Sequence, residues 1–161
     1  MRLYIIRHAE AGQHDESRWP DDSQRPVTKE GLKRFERLAR MLIDAGMRSQ
    51  LIATSPYVRC RQTAEALSEV FGGKVQYVER TELEPSSDLD SLIRWSNEQH
   101  VDEMSWIGHA PDVEHMIAAL IGSAGAGIHC SKGSVAQIDF EGKILRAHGE
   151  LQSLVSPKIL G

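Results

Sequence analysis

Residues 2–12 read RLYIIRHAEAG: four apolar residues, Leu3 to Ile6, run straight into Arg7 and His8. An unbroken apolar run of this length suits a strand buried on both faces of a parallel sheet. Arginine and histidine resist such burial unless they find partners. The junction therefore predicts a strand over Arg2–Ile6 that ends by delivering two side chains to a working surface.

Outward from this strand, helix and strand signals alternate without repeats or low-complexity linkers. Residues 13–27 are polar and contain proline, so they read as a loop. From Thr28 to Ala45 the spacing of Leu32, Phe35, Leu38, Ala39, Leu42 and Ile43 predicts an amphipathic helix stopped by Gly46. Leu51–Thr54 is a second strand, and Ser55-Pro56 opens a second helix, with serine as its cap and proline in its first turn. Val75–Val78 is a third strand. Ser87 and Asp90 have the spacing of a capping box ahead of a third helix. Met104–Ile107 is a fourth strand, and Pro111 opens a fourth helix that runs to Ile121. Residues 134–150 read as two strands around a turn at Glu141-Gly142. Alternating β and α elements imply a mostly parallel central sheet with helices on both faces.

With 161 residues, 40% apolar and 26% charged, residues 1–161 are expected to form one globular domain with a sizeable core. A formal net charge of −4 argues against nucleic-acid binding through overall basicity, while 19 lysines and arginines suffice for a local cationic pocket. The longest uncharged stretch, Met116 to Ser131, contains His129 and three glycines and falls short of a membrane span. Cys60 and Cys130 form neither a disulfide framework nor a metal motif, and no histidine pair has zinc-ligand spacing. The expectation is a cytoplasmic monomer without cofactor or metal, binding neither membrane nor nucleic acid.

Ligands of parallel α/β sheets bind beyond the carboxyl ends of the strands. Arg7 and His8 follow the first strand, Arg59 lies in the first turn of the helix after the second, and His109 follows the fourth. Three separated segments thus bring two guanidiniums and two imidazoles to one sheet edge. Guanidinium forks match tetrahedral oxyanions, and neighbouring cations keep imidazole neutral. A neutral imidazole is a competent nucleophile toward phosphorus. His14, His100, His115, His129 and His148 read as surface or packing residues. Trp19 is either a rim contact or folded onto the core, and Trp95 and Trp106 read as core.

The ordered segments RHAEA, RPVTKEG, SPYVRCRQTA and GHAP resemble the signatures of the histidine phosphatase, or phosphoglycerate mutase-like, superfamily. The compact length and the opening RHAEA…RPVTKEG are most similar to its SixA-type phosphohistidine phosphatases. The resemblance spans Met1 to about Ile121 and implies a three-layer α/β/α sandwich. It implies that His8 is the transiently phosphorylated nucleophile, that Arg7 and Arg59 bind phosphate, and that His109 hydrogen-bonds the transferring group. By the same resemblance Arg25 contributes to the phosphate pocket. Glu82 is the candidate proton donor by position, with Glu84 and Asp88 behind it, although TELEPSSD lacks the fuller pattern found around the donor of larger relatives.

The chain is also too short for the helical insertions that close over the substrates of those relatives. An open, acid-poor site suits a phosphoramidate, because imidazole departs neutral near pKa ~6.5 whereas an alkoxide needs a strong acid. The expected function is therefore metal-independent removal of phosphate from a protein phosphohistidine, carried for example by a histidine phosphotransfer domain. Two alternatives stand beside it: a general small-molecule phosphomonoesterase or mutase, and a catalytically idle phosphate-binding module.

Overall fold

In a computed structural model that describes residues 1–160, the opening stretch is a central strand, β1 (Arg2–Arg7). Its two flanks differ in direction. On one side β4 (Glu103–Gly108) runs parallel, with Arg7 beside Gly108; on the other, β5 (Val135–Asp139) runs antiparallel. Beyond β4 lie β2 (Leu51–Thr54) and β3 (Gln76–Glu79), both parallel, and β6 (Glu150–Val155) pairs antiparallel with β5 at the far edge. The sheet order is β3-β2-β4-β1-β5-β6.

Alternation along β1 assigns the layers. Leu3 and Ile5 join a core with Trp106 and with residues of α3 (Leu89–Asn97) and α4 (Asp112–Leu120), including Leu92 and Ile117. Tyr4 and Ile6 join a second core with α1 (Lys29–Asp44) and α2 (Val58–Val70), including Phe35, Leu38 and Leu67. Successive strand residues point to opposite faces, so one four-residue apolar run supplies both cores. The result is the three-layer α/β/α sandwich with a mostly parallel sheet. No helix among the described residues is long and apolar enough to cross a membrane.

Several local expectations need correction. The second tail strand is β6 at 150–155, so the two tail strands do not form a tight hairpin around Glu141-Gly142. The intervening chain leaves the sheet because Asn97 of α3 clasps Ile144, donating to its carbonyl and accepting from its N–H, both at 2.9 Å. Asp88, rather than Ser87, caps α3 by accepting from the Ser91 N–H at 3.0 Å. Helix α2 starts at Val58, with Tyr57 in the cap position and no side-chain cap bond. Ser55 lies outside that helix, and its hydroxyl is engaged elsewhere.

Candidate active site

The backbone that leaves β1 is fixed on three sides. The His8 N–H donates to Gly108 O at 3.0 Å, the Ala9 N–H to Thr63 Oγ1 of α2 at 3.0 Å, and the Gly133 N–H to the carbonyls of both Arg7 and His8. His8 is buried, 6% exposed, and its Nδ1 lies 2.7 Å from the Ala9 carbonyl. A carbonyl only accepts, so Nδ1 carries the proton and Nε2 keeps a lone pair. Burial pushes the His8 pKa down to about 3, and the charges of His109, Arg59 and Arg7 push in the same direction against the Ala9 hydrogen bond.

His109 comes in on β4's carboxyl end, its ring centroid 5.4 Å from that of His8. Its Nε2 lies 2.9 Å from the Ser55 hydroxyl, which itself accepts from the Tyr57 N–H at 3.3 Å. A serine hydroxyl has one proton and two acceptor positions, so it can donate to Nε2 while it accepts from Tyr57, an arrangement that puts the imidazole proton on Nδ1. Tyr57 packs edge-on at 4.9 Å, and burial followed by the Arg59 charge pushes the His109 pKa down to about 3.

Each arginine is braced at one end. Arg7 Nη1 donates to Cys130 O at 2.7 Å, and the Cys130 N–H is in turn held by Glu114 at 2.8 Å. Arg59, 5% exposed, lies over the Tyr57 ring at 4.9 Å. Its Nη1 donates to the Asp22 carbonyl at 2.8 Å, and its Nη2 pairs with Asp22 Oδ2 at 3.0 Å. Asp22 Oδ1 also accepts from Arg25 Nε at 2.7 Å, and Arg25 Nη1 reaches Gly12 O at 3.0 Å. The Arg25 hydrogen bond, aided by the Arg59 charge, holds the Asp22 carboxyl below its ordinary range.

What remains unpaired is informative. Arg7 Nε, Arg59 Nε and His109 Nδ1 are buried and have no partner, and the same holds for Arg80 Nε and Glu82 Oε2, whose residues pair with each other through their remaining atoms. A buried polar atom left unsatisfied costs about 1–3 kcal/mol, and the residues that carry the first three meet at one place, where acceptor oxygens could satisfy them. These residues line one cavity of about 380 Å³ together with His8, Arg25 and Lys132. Gln13, His14 and Pro85 form its exposed rim. The arrangement can bind a tetrahedral oxyanion with a lone pair of His8 facing the same cavity.

The structure does not bring Glu82 to this cavity. It sits on a single turn, Thr81–Leu83, after β3, and its carboxylate pairs with Arg80, whose guanidinium lies 4.7 Å over Trp95. Asp88 is occupied as the α3 cap. His14, read from sequence as an ordinary surface residue, is at the rim, 3.8 Å from Asp22. His115 is exposed, Trp19 is half-buried in its own loop, and Trp106 is fully buried. Asp22, Ser55 and Lys132 went unrecognised as site residues. The spacing of Asp22 three residues before Arg25 was the available signal for the first. Among the described residues no three His, Cys, Asp or Glu side chains are grouped to hold a metal ion.

Comparisons with known proteins agree with this geometry. The chain is 30% identical to an uncharacterized protein of Picosynechococcus sp. strain PCC 7002 over an alignment of 166 positions, gaps included, that covers 99% of each chain. It is 25% identical to the phosphohistidine phosphatase SixA of Escherichia coli K12 over 74% of each. The solved structure of the protein histidine phosphatase SixA complexed with tungstate superposes with a TM-score of 0.84 at 22% identity, covering 100% of both chains. The family model for the histidine phosphatase superfamily, branch 1, matches residues 3–110, the span that runs from β1 through His8, Arg59 and His109. By that match, and with its imidazoles and guanidiniums gathered at the carboxyl edge of a SixA-like sheet, the chain belongs to the histidine phosphatase superfamily.

Proposed function

We propose that this phosphatase removes phosphoryl groups from histidine on a protein, through a covalent phospho-His8 intermediate and without a metal ion. The observation that carries the reading is the set of three unpartnered buried nitrogens, Arg7 Nε, Arg59 Nε and His109 Nδ1, on residues that line one cavity with His8. They match the three equatorial oxygens of a phosphoryl group in flight. His8 Nε2 attacks phosphorus in line, and the P–N bond to the substrate imidazole breaks. That ring is already protonated on its other nitrogen, so it departs neutral. Phospho-His8 carries its phosphoryl on Nε2 and its proton on Nδ1, held by Ala9 O. Water then attacks phosphorus, the P–Nε2 bond breaks, His8 returns neutral, and the second water proton passes to solvent with inorganic phosphate. The arginines provide the positive charge.

A phosphohistidine fits the two features that distinguish this site. The pairing of Glu82 with Arg80, away from the cavity, leaves no carboxylic acid at hand for an alkoxide leaving group. The exposed rim of Gln13, His14 and Pro85 admits a side chain presented on another protein. Work in a reducing cytoplasm is part of the proposal; burial pushes the Cys60 and Cys130 thiols up to about 12 and 11, which keeps them unreactive.

The test is to mix the protein with a histidine phosphotransfer domain labelled on its phosphohistidine and quench. A label on His8 that acid removes and alkali spares is expected, and it should vanish in His8→Ala. Equal turnover of phosphohistidine and phosphoserine peptides would remove the basis for the substrate assignment. A His8→Ala protein that keeps its full biological effect would instead favour a binding module.

A further inference from the structure

Beside the catalytic cavity lies a second cleft of about 450 Å³, and Arg7 and Lys132 belong to the walls of both. A group bound in one therefore lies next to a group bound in the other. The second cleft is lined by Arg34 of α1 and by Lys158, beside Glu10 and His129. Glu10 is already committed to Lys132, with Nζ to Oε1 at 2.6 Å. Arg34 and Lys158 are exposed and have no acidic partner within 4.0 Å among the described residues. Four cationic side chains thus face one carboxylate, on a chain whose formal net charge is −4. The concentration of positive charge is local and adjoins the place where the phosphoryl group is to be transferred.

We propose that this cleft docks an acidic surface of the phosphoprotein substrate, one carrying Asp or Glu side chains close to its phosphohistidine. The proposal rests on the phosphohistidine reading and adds what selects the partner. A phosphohistidine in the catalytic cavity brings the protein around it over Arg7 and Lys132, so flanking carboxylates meet Arg34 and Lys158. An acidic partner would be repelled by the chain as a whole and drawn in at this one patch, which orients the encounter. The chemistry recognised is a carboxylate, and charge complementarity identifies the occupant.

The experiment compares two substrates: a phosphohistidine-bearing phosphotransfer domain with an acidic face, and the small molecule potassium phosphoramidate. The double variant Arg34→Glu/Lys158→Glu is expected to lower kcat/KM for the phosphoprotein about tenfold at low ionic strength, mainly through KM. Its turnover of phosphoramidate should be unchanged, and raising the salt should narrow the difference, since the Debye length shrinks to about 3 Å at 1 M. The milder Arg34→Gln/Lys158→Gln should fall between. No loss on the phosphoprotein, or an equal loss on both substrates, overturns the docking proposal while leaving the phosphohistidine reading intact. Wild-type turnover of phosphoramidate with none of the phosphoprotein overturns both.

Discussion

Asp22 binds two arginines at once, Arg25 through Oδ1 and Arg59 through Oδ2. Its backbone carbonyl takes a further Arg59 donor, so the residue engages both Nη atoms of that guanidinium and leaves Nε without a partner. Asp22→Asn keeps the shape but weakens a charge-assisted contact worth about 1.5–3 kcal/mol. The expected outcome is a fall in kcat of about tenfold, while inhibition by inorganic phosphate is unweakened because the pocket loses a negative charge. A steady-state comparison of kcat and the phosphate inhibition constant checks this; parallel losses would assign Asp22 a merely structural role. Ser55 acts one bond further out: a hydroxyl that donates to His109 Nε2 holds the ring proton on Nδ1. Ser55→Ala should cost about tenfold or more in kcat with folding little changed, and Ser55→Thr should recover part of it. A Ser55→Ala enzyme with unaltered kcat would refute the tautomer assignment. Neither role was readable in sequence. Serine before proline at a helix start is by default a cap, and its actual partner, His109, is 54 positions away. Arg7, His8 and His109 were readable, because each stands where an apolar run stops.

Among the elements, β1 and β4 were legible for a physical reason: their central residues are buried on two faces, so Leu3–Ile6 and Met104–Ile107 carry no charge and the arginine and histidines that follow stand out. Strand β6 was not. It is an edge strand with mostly exposed side chains, and Glu150–Val155 lacks the alternation that burial on one face imposes. Helix α1 shows what the RPVTKEG segment does. Thr28 caps the helix through the Gly31 N–H at 3.0 Å, and the Thr28 N–H donates to Glu10 O at 2.7 Å. Gly31 therefore lies hard against the chain that follows His8. A methyl group there would sit 2.4 Å from Glu10 Cβ and 2.7 Å from Glu10 O. Gly31→Ala should destabilise the protein by about 1–3 kcal/mol through overpacking. It should also lower kcat, because the displaced segment carries the Ala9 carbonyl that orients His8. Denaturant unfolding and steady-state rates on the same preparation check both effects; normal stability with normal kcat would show that the α1 start and the His8 loop are not coupled.

At the scale of the whole molecule, the net charge of −4 gave no hint of a cationic centre, since a sum over the chain averages out a cluster at one sheet edge. The cluster has a consequence for stability because the fold keeps two imidazoles buried and neutral beside arginines. In the folded protein His8 and His109 have pKa values pushed down to about 3, against about 6.5 in an unfolded chain. Above pH ~6.5 neither state is protonated at these positions, and the full stability is present. As pH falls below that value the unfolded chain takes up protons that the folded one refuses, so stability declines until the folded pKa is reached. The slope approaches about 1.4 kcal/mol per pH unit for each histidine. The carboxylates that the fold holds low, Asp22 and Asp139 among them, add to this loss, but only later, as pH drops below ~4. Between pH 7 and 5 the two histidines therefore dominate, and the unfolding free energy should fall by about 2–4 kcal/mol. Urea titrations across that range measure it, with a His8→Asn/His109→Asn protein for comparison. The double variant should give a flatter curve whatever its absolute stability. Curves of equal slope would mean that these imidazoles take up protons in the folded protein at the same pH as in the unfolded chain, and that burial does not hold them neutral below pH ~6.5.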